Sequence, residues 1–125
     1  MIDHISIAVR DLKAGERFYT ALLTTLGMTK LREWPDAAIG FGKKYPEFWI
    51  NQRKDMAPLV ADSGVHSCLR ASDPTLVDAF HAAALAAGGA SDGAPGMRAH
   101  YHAGYYAAFI RDPDGNRIEA VTFVR

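Results

Sequence analysis

Apolar and polar residues alternate from Ile2 to Val9, with Ile5, Ile7 and Val9 on one side and His4, Ser6 and Ala8 on the other, the period of a half-buried strand. The period then lengthens. Leu12, Phe18, Tyr19, Leu22, Leu23 and Leu26 recur at helical spacing, Asp11 stands at the N-cap position and Gly27 at the C-terminal stop. Three short strand-like runs follow, Thr29–Trp34, Ala37–Gly42 and Phe48–Gln52, separated by Pro35-Asp36 and by Lys43-Lys44-Tyr45-Pro46. The first half therefore reads β-α-β-β-β.

Arg53–Gly64 has no clear period and contains Pro58 and Gly64, so it reads as a linker. Beyond it the pattern returns. Val65–Ala71 alternates with His66, Cys68 and Arg70 on one face; Asp73-Pro74 supplies an N-cap and a first-turn proline; Leu76–Ala87 is an alanine-rich helix stopped by Gly88-Gly89. Ala90–Gly104 is loop-like with a short strand expected inside it. Tyr105–Val124 holds two β-rich runs around Asp112-Pro113-Asp114-Gly115-Asn116, whose proline and positive-φ-tolerant residues predict a tight hairpin turn.

A shift of 62 residues carries His4 onto His66, Ser6 onto Cys68, Asp11 onto Asp73, Phe18 onto Phe80, Leu23 onto Leu85 and Gly27 onto Gly89. Each pair has the same structural role, so the chain is a tandem repeat: repeat 1 over residues 1–52, a linker over 53–63 and repeat 2 over 64–125. One such unit cannot bury its own sheet. The expected fold is α+β, two βαβββ modules forming a curved, cup-shaped mixed sheet of about eight strands, with helices outside and a concave face for a small ligand.

Length and charge narrow the partners. With 125 residues the chain suits a single domain over residues 1–125. Fourteen basic residues balance fourteen acidic ones and no basic run occurs, so neither nucleic acid nor an anionic membrane is an expected partner. Cys68 is the only cysteine, which excludes an intramolecular disulfide; no signal-peptide pattern and no run of eighteen apolar residues is present. The expected location is cytoplasmic.

Candidate chemistry centres on three positions. Glu119 is a lone carboxylate among Ile118, Ala120, Val121 and Phe123, where it must face solvent, pair with Arg111 or Arg117, or bind a cation. His4 and His66 begin equivalent strands, each with a structural alternative as a satisfied core or rim residue. Should all three share the cup, two imidazoles and one carboxylate would make the facial set suited to Fe(II), Mn(II), Zn(II) or Ni(II). Arg98–Tyr106 concentrates His100, His102, Tyr101, Tyr105 and Tyr106 before the hairpin; His102 and Tyr105 are candidate proton movers and His100 a pocket residue, with a covering loop as the alternative. Arg70 shares the His66 face as an anion partner, while Cys68 reads as a small core residue. Trp49 and Phe109 are pocket candidates, though core packing is the stronger reading for Trp34 and Trp49; Tyr19 and His81 read as packing residues.

Taken together, Ile-Asp-His-Ile-Ser-Ile-Ala-Val-Arg-Asp-Leu from Ile2, Phe18-Tyr19, Leu26-Gly27-Met28 and Phe109–Glu119 give a chain that resembles the vicinal oxygen chelate superfamily over nearly its whole length. That group holds glyoxalase I, extradiol dioxygenases, methylmalonyl-CoA epimerase and the fosfomycin and bleomycin resistance proteins. The resemblance implies that His4, His66 and Glu119 match three metal-ligand positions. The glyoxalase pattern draws a fourth from the last strand of repeat 1, here Phe48–Gln52, where the nearest position is apolar or aromatic with Glu47 before it and Gln52 after. It further implies a homodimer and a divalent-metal-dependent lyase, isomerase or ring-cleaving dioxygenase whose small substrate chelates through vicinal oxygens. The alternative it carries is a metal-free sequestering protein of the bleomycin-resistance type.

Overall fold

Two β-α-β-β-β units follow one another in a computed structural model that describes residues 1–125. The first comprises β1 (Ile5–Val9), α1 (Leu12–Leu23), β2 (Thr29–Trp34), β3 (Ala38–Gly42) and β4 (Phe48–Gln52). The second comprises β5 (Ser67–Arg70), α2 (Pro74–Ala86), β6 (Ala90–Met97), β7 (Tyr105–Arg111) and β8 (Arg117–Phe123). Both helices start on the caps expected of them: the Asp11 carboxylate accepts from the Ala14 N–H at 3.1 Å, and the Asp73 carboxylate from the Leu76 N–H at 3.1 Å. A 3-10 turn over Thr24–Leu26 extends α1 and is closed by Gly27 at φ 78°, a left-handed conformation that any side chain would strain.

The eight strands divide into two four-stranded mixed sheets, ordered β1-β4-β3-β2 and β5-β8-β7-β6. In each, the first strand of the unit lies parallel to the last, and the remaining pairings are antiparallel. The tandem βαβββ architecture is as the sequence predicts. Its strands, however, do not join into one hydrogen-bonded surface within the chain, so β1 and β5 are each an edge.

One face of each sheet is buried by its own helix. Ile39, Phe41, Phe48 and Ile50 pack with Phe18, Tyr19, Leu22 and Leu23 of α1, and Ala108, Ile110, Ile118 and Ala120 pack with Val77, Phe80 and Ala84 of α2. The two helices also touch each other, so these residues form one continuous core. Each large aliphatic or aromatic side chain buried there contributes about 1.5–3 kcal/mol. The turn Asp112–Asn116 stitches the units together as well: the Asn116 amide donates to the Ala8 carbonyl at 2.8 Å, and Arg10 Nη1 donates to Asp114 Oδ1 at 3.0 Å. The opposite faces of both sheets carry no helix. No helix of the chain is long and apolar enough to cross a membrane.

Candidate functional site

Strand alternation decides what lies on the open face of the second sheet. In the register Glu119 stands beside Cys68 on β5 and Phe109 on β7, so all three point away from α2, as do Tyr105 and the residue preceding β5, His66. Glu119 is nevertheless only 2% exposed. Its Oε1 lies 2.9 Å from His66 Nε2, and its Oε2 accepts the Tyr105 hydroxyl. The arginine pairings open to Glu119 from sequence do not form. Arg117 Nη1 instead meets Asp92 at 3.0 Å, and Arg111 Nε lies 3.9 Å from the same residue.

This packing sets the protonation of two neighbours. Partial burial, then the hydrogen bond to Glu119, raises the Tyr105 phenol well above its ordinary range, so it is a proton holder at neutral pH. Cys68 is exposed and is not a core residue; desolvation by its neighbours, then the Glu119 charge, pushes its thiol up to about 12. It is no thiolate nucleophile.

A cleft of about 430 Å³ opens beside the pair, lined by His66, Asp92, Arg98, Tyr101, Phe109 and Arg117 among others. The Phe109 ring faces His66 at 6.2 Å between centroids. Tyr101 meets Tyr105 edge-on at 5.2 Å and His100 at 4.3 Å, so His100 belongs to the rim of this aromatic group. His102 packs edge-on against Phe123 at 5.7 Å; of the two candidate proton movers it is Tyr105 that reaches Glu119. Arg70 lies over the Phe123 ring at 4.7 Å.

His4 is elsewhere. It precedes β1 on the first sheet, where its Nδ1 pairs with Asp3 Oδ1 at 2.6 Å and its ring meets Trp49 at 6.4 Å. Trp49 stacks on Trp34 at 5.1 Å and 22°, and its Nε1 donates to the Pro46 carbonyl at 3.0 Å. It lies flat because Gly40 beneath it has no side chain: a Cβ there would come within 2.8 Å of the indole. With His4, Ser6 and Tyr45 these indoles line a second cleft of about 240 Å³. The registers also locate Glu119's counterpart in repeat 1. Ser6 pairs with Trp49 as Cys68 pairs with Glu119, so an indole stands where a fourth ligand would come from. Gln52 is engaged at both ends, accepting from the Leu12 N–H at 3.0 Å and donating to the Asp36 carbonyl at 3.1 Å.

A divalent ion binds imidazole nitrogen and carboxylate oxygen at about 2.0–2.2 Å, which puts neighbouring ligand atoms roughly 3 Å apart. The His66–Glu119 separation of 2.9 Å fits two such positions. Within one chain there is no third: no group of three or more His, Cys, Asp or Glu is placed to hold a metal ion, because His4 and His66 sit on separate sheets. Sequence reasoning missed Trp34 as the stacking partner of Trp49 and the contact of Cys68 with Glu119. The strand alternation that put Cys68 on the His66 face was the available signal for the latter.

Residues 1–120 match the family model of the Glyoxalase/Bleomycin resistance protein/Dioxygenase superfamily. Among solved structures, the chain is similar to a glyoxalase/bleomycin resistance protein from Albidiferax ferrireducens T118, at 33% identity and a TM-score of 0.78, over 94% of each chain. It is also similar to a glyoxalase/bleomycin resistance protein/dioxygenase family enzyme from Burkholderia phytofirmans PsJN, at 17% identity and a TM-score of 0.75, over 98% of each chain. A lactoylglutathione lyase from Agrobacterium tumefaciens follows at 20% identity and a TM-score of 0.65, over 97% of this chain and 92% of that one. The last two likenesses are of fold alone. No match was found among curated proteins.

Proposed function

The chain belongs to the Glyoxalase/Bleomycin resistance protein/Dioxygenase superfamily, and on that footing we propose that it is a divalent-metal-dependent enzyme. Its substrate is a small molecule offering two neighbouring oxygens, and its reaction is of the lyase, isomerase or ring-cleaving type. The observation that carries this reading is the pairing of a buried carboxylate, Glu119, with His66 at 2.9 Å on a sheet face that no helix covers.

His66 and Glu119 would hold the ion, with His4 of a second copy as the third ligand. Two copies can bring β1 of one beside β5 of the other, which covers both edges and lets the open faces of one first sheet and the other's second sheet line one cup. When bound, such an ion supplies Lewis acidity to paired substrate oxygens. Tyr105 donates to Glu119, fixing the carboxylate's orientation, and retains its phenolic proton at neutral pH, so it positions a metal ligand and does not act as a base. Phe109 and Tyr101 wall the cleft with aromatic surface and exclude water from that side.

A mixing experiment tests the shared site. His4→Ala and Glu119→Ala should each bind no ion at the site; mixed dimers would combine His4 from one variant with His66 and Glu119 from the other. Equimolar mixing with subunit exchange should restore about a quarter of the wild-type sites, since half the dimers are mixed and each has one intact site of two. No recovery would exclude a ligand set shared between copies.

The stacked, solvent-facing Trp34–Trp49 pair favours a second reading, a metal-free protein that sequesters a planar aromatic compound. Calorimetry with planar aromatics and with vicinal dioxygen compounds, before and after chelation, separates the two. Binding of a dioxygen compound that disappears with chelator supports the enzyme; tight aromatic binding to stripped protein, without turnover under any metal, supports sequestration.

A further inference from the structure

We infer that Arg98 is a carboxylate anchor, and that the molecule taken into the His66–Glu119 cleft carries an acid group at the end bounded by β6. The inference rests on reading that cleft as the substrate site. Arg98 follows β6 directly and its side chain folds back along the strand: Nη1 donates to the Gly96 carbonyl at 2.9 Å and Nη2 to the Ala94 carbonyl at 2.7 Å. The room for this comes from two glycines. A Cβ at Gly93 would stand 3.2 Å from Nη2, and one at Gly96 would stand 3.3 Å from Nη1. Beneath the guanidinium lies the Phe109 ring, at 5.4 Å to its centroid.

These contacts fix the group without neutralising it. A guanidinium has five N–H donors; two are committed to main-chain carbonyls, and carbonyl oxygens carry no formal charge. Three remain, and Arg98 lines a cleft wide enough for a small ligand. Of the carboxylates lining that cleft, Asp92 is taken up by Arg117 at 3.0 Å and approached by Arg111 at 3.9 Å, and Asp62 forms no ion pair with Arg98. A cation held rigid, flanked by an aromatic face and left with a planar set of donors has the geometry that carboxylates bind best. Irregular β6 makes sense in this light: its register shift between Gly93 and Gly96 spans the carbonyls that hold Arg98.

Benzoate and benzamide are isosteric probes that differ in charge, and chelator-treated full-length protein keeps the test independent of any metal. Following the Gly93 and Gly96 amide resonances, benzoate should saturate wild-type protein at about tenfold lower concentration than benzamide, as expected for a charge-assisted pair. Arg98→Gln should bring benzoate to the benzamide level, and Arg98→Lys, which keeps the charge and loses the fork, should fall between them. Equal binding of the two probes by wild-type protein, or a benzoate preference that survives Arg98→Gln, would overturn the inference. Failure of the metal reading shows separately, as lost metal recovery in the mixing experiment with the benzoate preference intact.

Discussion

The Tyr19 hydroxyl donates to Asp112 Oδ2 at 2.6 Å, joining α1 of repeat 1 to the hairpin turn of repeat 2 across 93 positions of sequence. Both residues are buried. Asp112 also accepts from the main-chain N–H groups of Asp114 and Asn116 at 2.9 and 2.8 Å, and from the Asn116 amide at 2.8 Å, so the tyrosine completes a shell that the turn has already half built. Tyr19→Phe removes that one donor while keeping the ring, and should lower unfolding free energy by about 1–3 kcal/mol. Urea denaturation should show a reduced midpoint at unchanged slope; an unshifted midpoint would mean the hydroxyl contributes nothing.

Burial holds Asp112 above its ordinary value of 3.8, outweighing the hydrogen bonds from Tyr19 and Asn116 that pull it down. A raised folded value means that the fold takes up the proton more readily than the unfolded chain. The stability linked to that proton is fully present below 3.8 and is lost as pH rises through the folded value. Wild-type protein should therefore gain on Asp112→Asn, which cannot titrate, as the pH is lowered from neutral into the acid range. Unfolding free energies of the two proteins at several pH values check this, and a constant gap would refute it.

Cys68 should be slow to alkylate. With its thiol pushed up to about 12, the thiolate fraction at pH 8 is on the order of 10⁻⁴. Iodoacetamide should modify it at least about a hundredfold more slowly than a small free thiol, and Glu119→Gln, which removes the neighbouring charge, should accelerate the reaction. Mass spectrometry over a time course reads both rates.

Gly40→Ala should unseat Trp49. The added methyl would stand 2.8 Å from the indole and 2.9 Å from Pro46 Cβ, and the Pro46 side cannot yield while its carbonyl holds Nε1. The expected readout is loss of the coupled near-ultraviolet circular dichroism of Trp34 and Trp49, with a stability cost of about 1–3 kcal/mol from overpacking. An unchanged spectrum would place the two rings out of contact in solution.

Untagged protein should retain about one divalent ion per chain by elemental analysis, and chelation should lower its thermal midpoint by mass action. Glu119→Ala should lose the ion, and His66→Ala should weaken its binding by at least about tenfold. A midpoint indifferent to chelator would count against a resident metal.

Most of the fold was legible because each element carried its own local signal. Asp11 and Asp73 cap the helices they precede, the alternation in β1 and β5 assigns each side chain to a face, and the turn residues between β7 and β8 mark a hairpin. The strand β6 was harder to find: Gly93, Pro95 and Gly96 read as breakers, yet pairing with β7 holds Ala90–Met97 extended. Half the site was legible on the same grounds, since His66 and Glu119 follow from alternation plus the cost of an apolar-buried charge. The whereabouts of His4 relative to them was not. Periodicity reports which face of a sheet a residue takes and nothing about which sheet it joins, and here the helices of the two units meet instead of their strands. The Tyr19–Asp112 bond was hidden for a related reason: a tyrosine at a core helix position looks the same in sequence whether or not its hydroxyl has a partner.

The exchange of a carboxylate for an indole between repeats has a geometric consequence. Two identical repeats brought face to face would offer a ligand a palindromic chamber, in which either end of an elongated molecule could lie either way round. With Trp49 at one register position and Glu119 at its counterpart, that symmetry is broken. One half of such a chamber would be an aromatic slab and the other a hydrogen-bonded polar pair, so a molecule with one flat greasy end and one oxygen-rich end would have a single heading in it.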